Sequence, residues 1–213
     1  AITIISLIIS SVVGITFGVV SALNQNNKVD YILTVAALIV ASLPTFWFAL
    51  MLILIVSVKL GWLPVSGLDS FKAWILPCVV SGLGPVSNLC RTARSSMLEV
   101  IRQDYIRTAR SKGISENKVI FKHALKNALF PVITVFGIIA SFSVGGQVVV
   151  ESIFSIPGIG AYMMESILNR DYPVVQGTVV VLSLLICVIN LLVDIAYGFA
   201  DPRIRARYTK QKK

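Results

Sequence analysis

"DYIRTARSKGISENKVIFKHALKNALFPVITVFG", residues 104–137, changes character halfway along. Its first part is crowded with Lys and Arg and interrupted by Gly113. Its last part enters residues 128–150, which contain no Asp, Glu, Lys, Arg or His. A helix rises about 1.5 Å per residue, so some 20 uncharged residues cross a hydrocarbon core of roughly 30 Å. The stretch therefore reads as a water-facing segment that feeds a membrane-spanning helix.

Residues 1–23, 31–58, 73–90 and 172–193 are bare of charge in the same way. One such run fits a buried helix of a soluble protein, but five in series do not. The expectation is an all-α, polytopic membrane bundle of five spanning helices, forming one domain over residues 1–213. Residues 73–90 are the shortest run and hold Pro77, Pro85 and two glycines.

The charges then set an orientation. With five spans, residues 24–30, 91–127 and 201–213 share one side and carry sixteen Lys or Arg, whereas 59–72 and 151–171 carry three. Basic loops stay inside, so the first group is expected to be cytoplasmic, the C-terminus included. The net charge of +9 is thus an orientation signal and not a nucleic-acid footprint, for which no motif is present. Cys78, Cys90 and Cys187 lie in or beside apolar runs without metal or disulfide spacing. The chain opens inside a spanning run without Met or a basic leader. It is expected to be part of a longer protein, with an earlier helix absent.

Local signals refine the spans. Ser10, Gly14, Gly18 and Ala22 put small residues on one face of the first, a pattern that lets helix backbones approach. Pro44 in "SLPTFWF" marks a kink in the second. Trp62 and Trp74 flank the outer loop as an aromatic belt would, while Trp47 lies deeper. In "ESIFSIPGIGAYMMESILNRDYP", residues 151–173, Pro157-Gly158 marks a turn and a short helix is expected over Ala161–Leu168. Ile153, Phe154, Ile156 and Ile159 are too apolar for free solvation and are expected to pack at the outer mouth. Asn190, Asp194 and Gly198 share a face of the last span near Asp201. Reach of Asp194 to the interface, or its pairing with Arg203 or Arg205, is favoured over a functional role.

The basic segment carries helical punctuation. Leu98, Ile101, Tyr105 and Ala109 recur at helical spacing, and Gly113 follows Lys112 where a C′ glycine stops a helix. Ser115 stands as N-cap of a second helix opening with Glu116, and Ile120, Ala124 and Ala128 continue its stripe until Pro131 opens the next span. The result is a helix–glycine–helix knob. Physical chemistry alone leaves it two partners, an anionic lipid surface or a protein cleft. His123 is the single histidine, so a metal role lacks ligands.

The same residues carry a resemblance. Residues 104–137 are similar to the cytoplasmic signature loop of permease subunits in binding-protein-dependent ABC importers, nearest the peptide and nickel branch. The general pattern there is Glu-Ala-Ala, three residues, Gly, nine residues, then Ile-x-Leu-Pro. Aligned on Gly113, the triplet falls on Arg107, Thr108 and Ala109, and the final four on His123, Ala124, Leu125 and Lys126, so only Ala109 and Leu125 keep those positions. "YIRTARSKG", "HALKNAL", "ILNRDYPVVQG" at 167–177 and "DPRIR" at 201–205 resemble the peptide and nickel form. The family's N-terminal helix and following outer segment have no counterpart.

The resemblance implies a type I importer permease in a bacterial or archaeal plasma membrane. Asp104, Tyr105, Arg107, Thr108, Ala109, Arg110, Gly113, Ser115 and Leu125 would form the ATPase-coupling loop within 91–127. Ile156, Pro157, Gly158, Asp171 and Tyr172 would meet an extracytoplasmic solute-binding protein. A second permease, two cytoplasmic ATPase subunits and surrounding lipid would complete the assembly. ATP would be bound by the ATPases, so this chain would need no cofactor and would not itself be an enzyme. It has no G-x-x-x-x-G-K-[ST] loop. An ion-coupled carrier or channel is the rival reading, but it calls for ionisable groups deep in the spans, which are nearly bare of them. A membrane enzyme calls for a clustered nucleophile, metal set or carboxylate pair, and the acids are scattered.

Overall fold

The computed structural model describes residues 1–145 and 147–200, and every regular element among them is helical. Three helices are long and apolar enough to cross a membrane: α1 (Ile2–Leu23), the rod Glu116–Ser143, and α11 (Tyr172–Ala200) through Ile195. Two bent pairs bring the spans to five if each pair counts as one.

Proline chemistry explains both bends. In α2 (Lys28–Ser42) the chain reaches Leu43, whose φ of −79° and ψ of 129° are extended, as steric conflict with Pro44 demands. The next helix, α3 (Thr45–Leu52), leaves at 99° and continues as a π-helix over Ile53–Lys59. The expected kink at Pro44 is therefore a break. Helix α4 (Phe71–Leu83) tolerates Pro77 inside it and bends by 49° at Gly84–Pro85 into α5 (Val86–Ile101).

Residues 91–101, expected in the loop, thus belong to a helix that packs along α1. Pro131, expected to open a span, lies inside α8 (Leu125–Gly145). That helix is continuous with α7 (Glu116–Lys118) through a π-helical stretch over Val119–Ala124. Around the breaks sit α6 (Asp104–Ser111), α9 (Val148–Ile153) and α10 (Ile159–Leu168).

Helix α1 is the hub and packs on α2, α4, α5 and α8. Its small-residue stripe makes this possible. A Cβ at Gly14 would lie 2.7 Å from Leu89 Cβ, and one at Gly18 would lie 2.5 Å from the Cys90 carbonyl oxygen and 2.6 Å from Ala93 Cβ. Ser10 and Ala22 are buried on the same face. The stripe is filled by α5 of the same chain, so backbones meet where hydrocarbon gives no driving force for association. Helix α11 rests on α8, with the Ser141 hydroxyl bonded to Asn190 Oδ1, and otherwise exposes Val180, Leu184, Val188 and Leu191.

Candidate functional site

The knob begins where α5 ends at Arg102, turns through Gln103 and restarts as α6. One helix from Leu98 to Ala109 was the expectation. The break rotates the buried stripe by one residue, so Ile106 is fully buried while Tyr105 is 43% exposed. Tyr105 uses its hydroxyl to accept from Asn127 Nδ2 at 2.9 Å, joining α6 to α8. Met97, Ile106, Ala109, Val119, Ile120, Ala124 and Ala128 form one core with Val19 and Ala22 of α1, and Leu125 packs against it. The knob is therefore seated on the end of the bundle.

Its turn is closed by the backbone. Gly113 N–H donates to the Arg110 carbonyl at 2.9 Å and Ile114 N–H to the Ala109 carbonyl at 3.4 Å. This pair of bonds is a Schellman C-cap, with Gly113 as C′ at φ +75°. A Cβ built at Gly113 meets nothing within 4 Å, so the glycine answers to conformation and not to crowding.

Ser115 occupies the N-cap position expected of it, but its hydroxyl makes no capping bond. Glu116 is held instead by Arg110, through Nη2–Oε1 at 2.6 Å and Nε–Oε2 at 3.1 Å. This fork across the turn pushes the Arg110 guanidinium above its ordinary range. Asp104, Arg107, Thr108, Arg110, Gly113 and Ser115 are all exposed, with Thr108 donating to the Asp104 carbonyl at 2.9 Å. The tip is a capped, basic, solvent-facing surface.

Beneath it lies a polar cluster that sequence reasoning missed. Asp30, 3% exposed, receives Arg94 in a two-pronged pair, Nε–Oδ1 at 2.7 Å and Nη2–Oδ2 at 2.6 Å. Asn26 N–H donates to Oδ2 at 3.0 Å, and the Ser21 hydroxyl bonds Oδ1. Three elements, α1, α2 and α5, are tied together where the knob is rooted. The available signal was an acid in the short loop before the second run, with an Arg early in the basic segment.

At the opposite end the 151–173 segment folds back on itself. Helix α10 starts at Ile159, two residues before the expected Ala161. Glu151 Oε2 accepts from Ala161 N–H at 3.0 Å, placing a carboxylate on the positive end of α10. A Cβ at Gly158 would overlap that carboxylate, and one at Gly160 would lie 2.7 Å from Val148 Cα. Phe154 and Ile156 are buried, while Ile159 is 41% exposed. Pro157 and Tyr172 face solvent, and Asp171 Oδ1 accepts from Val174 N–H at 3.3 Å to open α11. Gly67 N–H donates to the Phe154 carbonyl at 3.0 Å, joining both segments of this end.

Between the two ends Thr45, Ser81, Asn88, Phe142, Ser143 and Gln147 line a cleft of about 490 Å³ with apolar neighbours. Asp194 is exposed on α11, and Asp201, Arg203 and Arg205 lie outside the described residues. No group of His, Cys, Asp and Glu that could hold a metal occurs among the described residues.

A family model described as "Binding-protein-dependent transport system inner membrane component" matches residues 14–206. The chain belongs to that family. It is a multi-pass membrane protein. It is 44% identical over 210 residues to the oligopeptide transport system permease protein AppB of Bacillus subtilis, covering 94% of this chain and 66% of the relative. It is 42% identical to the di/tripeptide transport system permease protein DppB of Pseudomonas aeruginosa, covering 90% and 66%. A putative peptide transport system permease protein of Brucella abortus is 48% identical, with 91% and 64% covered. The chain thus spans about two thirds of the length of these curated relatives. Among solved structures, a chain of the MetNI methionine ABC transporter in an inward-facing conformation aligns with a TM-score of 0.78 at 19% identity, over 94% of this chain and 92% of that one. This likeness shows a shared fold, that of a type I importer permease.

Proposed function

We propose that this chain is the membrane-spanning permease subunit of an ATP-driven importer of short peptides, coupled to its motor through the 104–118 knob. The observation that carries the reading is the knob itself. It is a helix–glycine–helix element capped by backbone bonds, rooted in two spans through α5 and α8, and basic at an exposed tip. Such an element moves as one body, which is what transmitting a partner's closure to the bundle requires.

In this reading Arg107, Thr108, Arg110, Gly113 and Ser115 present the surface to a groove on a cytoplasmic ATPase, and Ala109 and Leu125 hold it from behind. Asp104 opens α6 at its positive end, and Tyr105 fixes α6 to α8. ATP binding and hydrolysis belong to two ATPase subunits. A second, homologous permease completes the pathway, and an extracytoplasmic solute-binding protein docks at the end formed by Ile156, Pro157, Gly158, Asp171 and Tyr172. The excess of Lys and Arg in these loops supports a cytoplasmic knob and C-terminus. The peptide class is supported by the names of relatives at 42–48% identity.

The test is purification of the full-length chain from its native membrane in mild detergent. An ATP-hydrolysing subunit should co-purify, and the complex in proteoliposomes should accumulate tri-alanine only with ATP and the binding protein. Accumulation by the permease alone under an ion gradient would overturn the reading.

A further inference from the structure

Three helix breaks converge on the cleft between the two ends. Thr45 opens α3 just beyond the Pro44 break, Ser81 and Asn88 stand either side of the Gly84–Pro85 bend, and Ser143 and Gln147 flank the junction of α8 and α9. By residue count Thr45, Ser81 and Ser143 sit well inside their spanning runs, with Asn88 and Gln147 nearer the ends of theirs. Interrupted helices at mid-membrane are where polar groups can face a solute instead of a neighbouring turn.

The lining is polar without being charged. Gln147 is only 8% exposed, and its Oε1 accepts from the Ser81 hydroxyl at 2.9 Å. No described hydrogen bond uses its amino group, and among the described residues no fully buried side-chain nitrogen or oxygen lacks a partner. The Gln147 amino group therefore keeps some exposure, on this cleft or on the smaller one that Gln147 shares with Glu151 and Gly160. Asn88 repeats the arrangement: its Oδ1 accepts from Arg91 Nη2 at 2.8 Å, and its amino group is uncommitted among the described bonds. Two amides thus line one cleft, each with its oxygen already held. No lining residue carries a charge.

That donor set excludes some solutes and suits one. A divalent cation calls for carboxylate, imidazole or thiolate ligands, and the cleft offers none. A peptide main chain is neutral and presents carbonyl acceptors at regular spacing. Its groups match amide donors whatever its side chains, and a volume of about 490 Å³ lies in the range of small-molecule sites. We propose that this cleft is a transit site for the main chain of an imported peptide, with Gln147 and Asn88 donating to its carbonyls and Ser81 positioning Gln147. The proposal rests on the importer reading.

The experiment uses the complete importer in proteoliposomes with saturating binding protein. Tri-alanine and its backbone N-methylated analogue are transported by wild type, Gln147→Ala and Asn88→Ala. N-methylation twists and crowds the carbonyls without altering charge. Gln147→Ala should lose about tenfold in tri-alanine uptake, the worth of one buried hydrogen bond, and Asn88→Ala, at an exposed residue, should lose less. Relative to wild type each should lose far less with the methylated peptide, and ATP hydrolysis without peptide should be unchanged. Ser81→Ala should give a smaller loss of the same selective kind.

Wild-type uptake of both peptides by the variants would overturn the site, as would equal loss with both peptides. Loss of the second permease from the variants' complexes would show that the cleft seats protein, and would also overturn it. Absence of ATP-driven tri-alanine uptake by wild type would instead sink the importer reading beneath it.

Discussion

The two ends of the bundle solve one problem, a tight turn between helices, with glycines of opposite kinds. Gly113 at the knob has φ +75° and empty space where a side chain would go. Gly158 and Gly160 at the far end have no such backbone demand, but a Cβ would run into the Glu151 carboxylate or the Val148 backbone. One glycine sets the path of the chain, and the others permit contact. The charges differ in parallel. At the knob Arg110 meets Glu116 across the turn, in water, while a half-buried Arg94 meets a buried Asp30 below it. At the far end Glu151 meets backbone N–H. The knob is thus stiffened from within and left bare at its tip, whereas the far end is filled.

This difference can be broken in graded steps. The largest effect is expected from Arg94→Ala, which strands Asp30 as a buried charge. Loss of one partner of such a pair costs about 3–5 kcal/mol, so little folded chain should be recovered. Asp30→Asn with Arg94→Gln should recover much of it, and equal yields for the single and double variants would show that the pair does not anchor the knob. A middle effect is expected from Gly160→Ala, where overpacking against Val148 costs about 1–3 kcal/mol. Its thermal unfolding midpoint in detergent should fall clearly. The smallest is Gly113→Ala, whose positive φ costs about 1 kcal/mol with no clash. A larger fall for Gly113→Ala than for Gly160→Ala would erase the distinction between the two glycines.

Much of the fold was legible because apolar runs and basic loops report directly on the membrane. The Gly113 turn was equally plain, since Lys112-Gly113 and Ser115-Glu116 are local signals. What failed was also local in cause. A stripe drawn through Leu98, Ile101 and Tyr105 assumed one helix, and the break after Arg102 moved the buried position to Ile106. Pro131 and Pro85 looked alike as letters, yet one sits inside a rod and the other at a bend. The paired polar groups were out of reach for a different reason. Asp30 and Arg94 are 64 residues apart, and Ser81 and Gln147 are 66 apart, so only packing brings them together. Contacts of that separation leave no periodicity to read.

The central claim is that the knob's tip, shaped by Gly113, is where the chain takes its drive from an ATPase. Its most direct test is Gly113→Asp in the reconstituted complex, because the site is open and a Cβ there meets nothing within 4 Å in this chain. The account predicts a variant that inserts and folds in normal amount but loses peptide uptake to background, with ATP hydrolysis no longer stimulated by loaded binding protein. Wild-type uptake at normal abundance would contradict it.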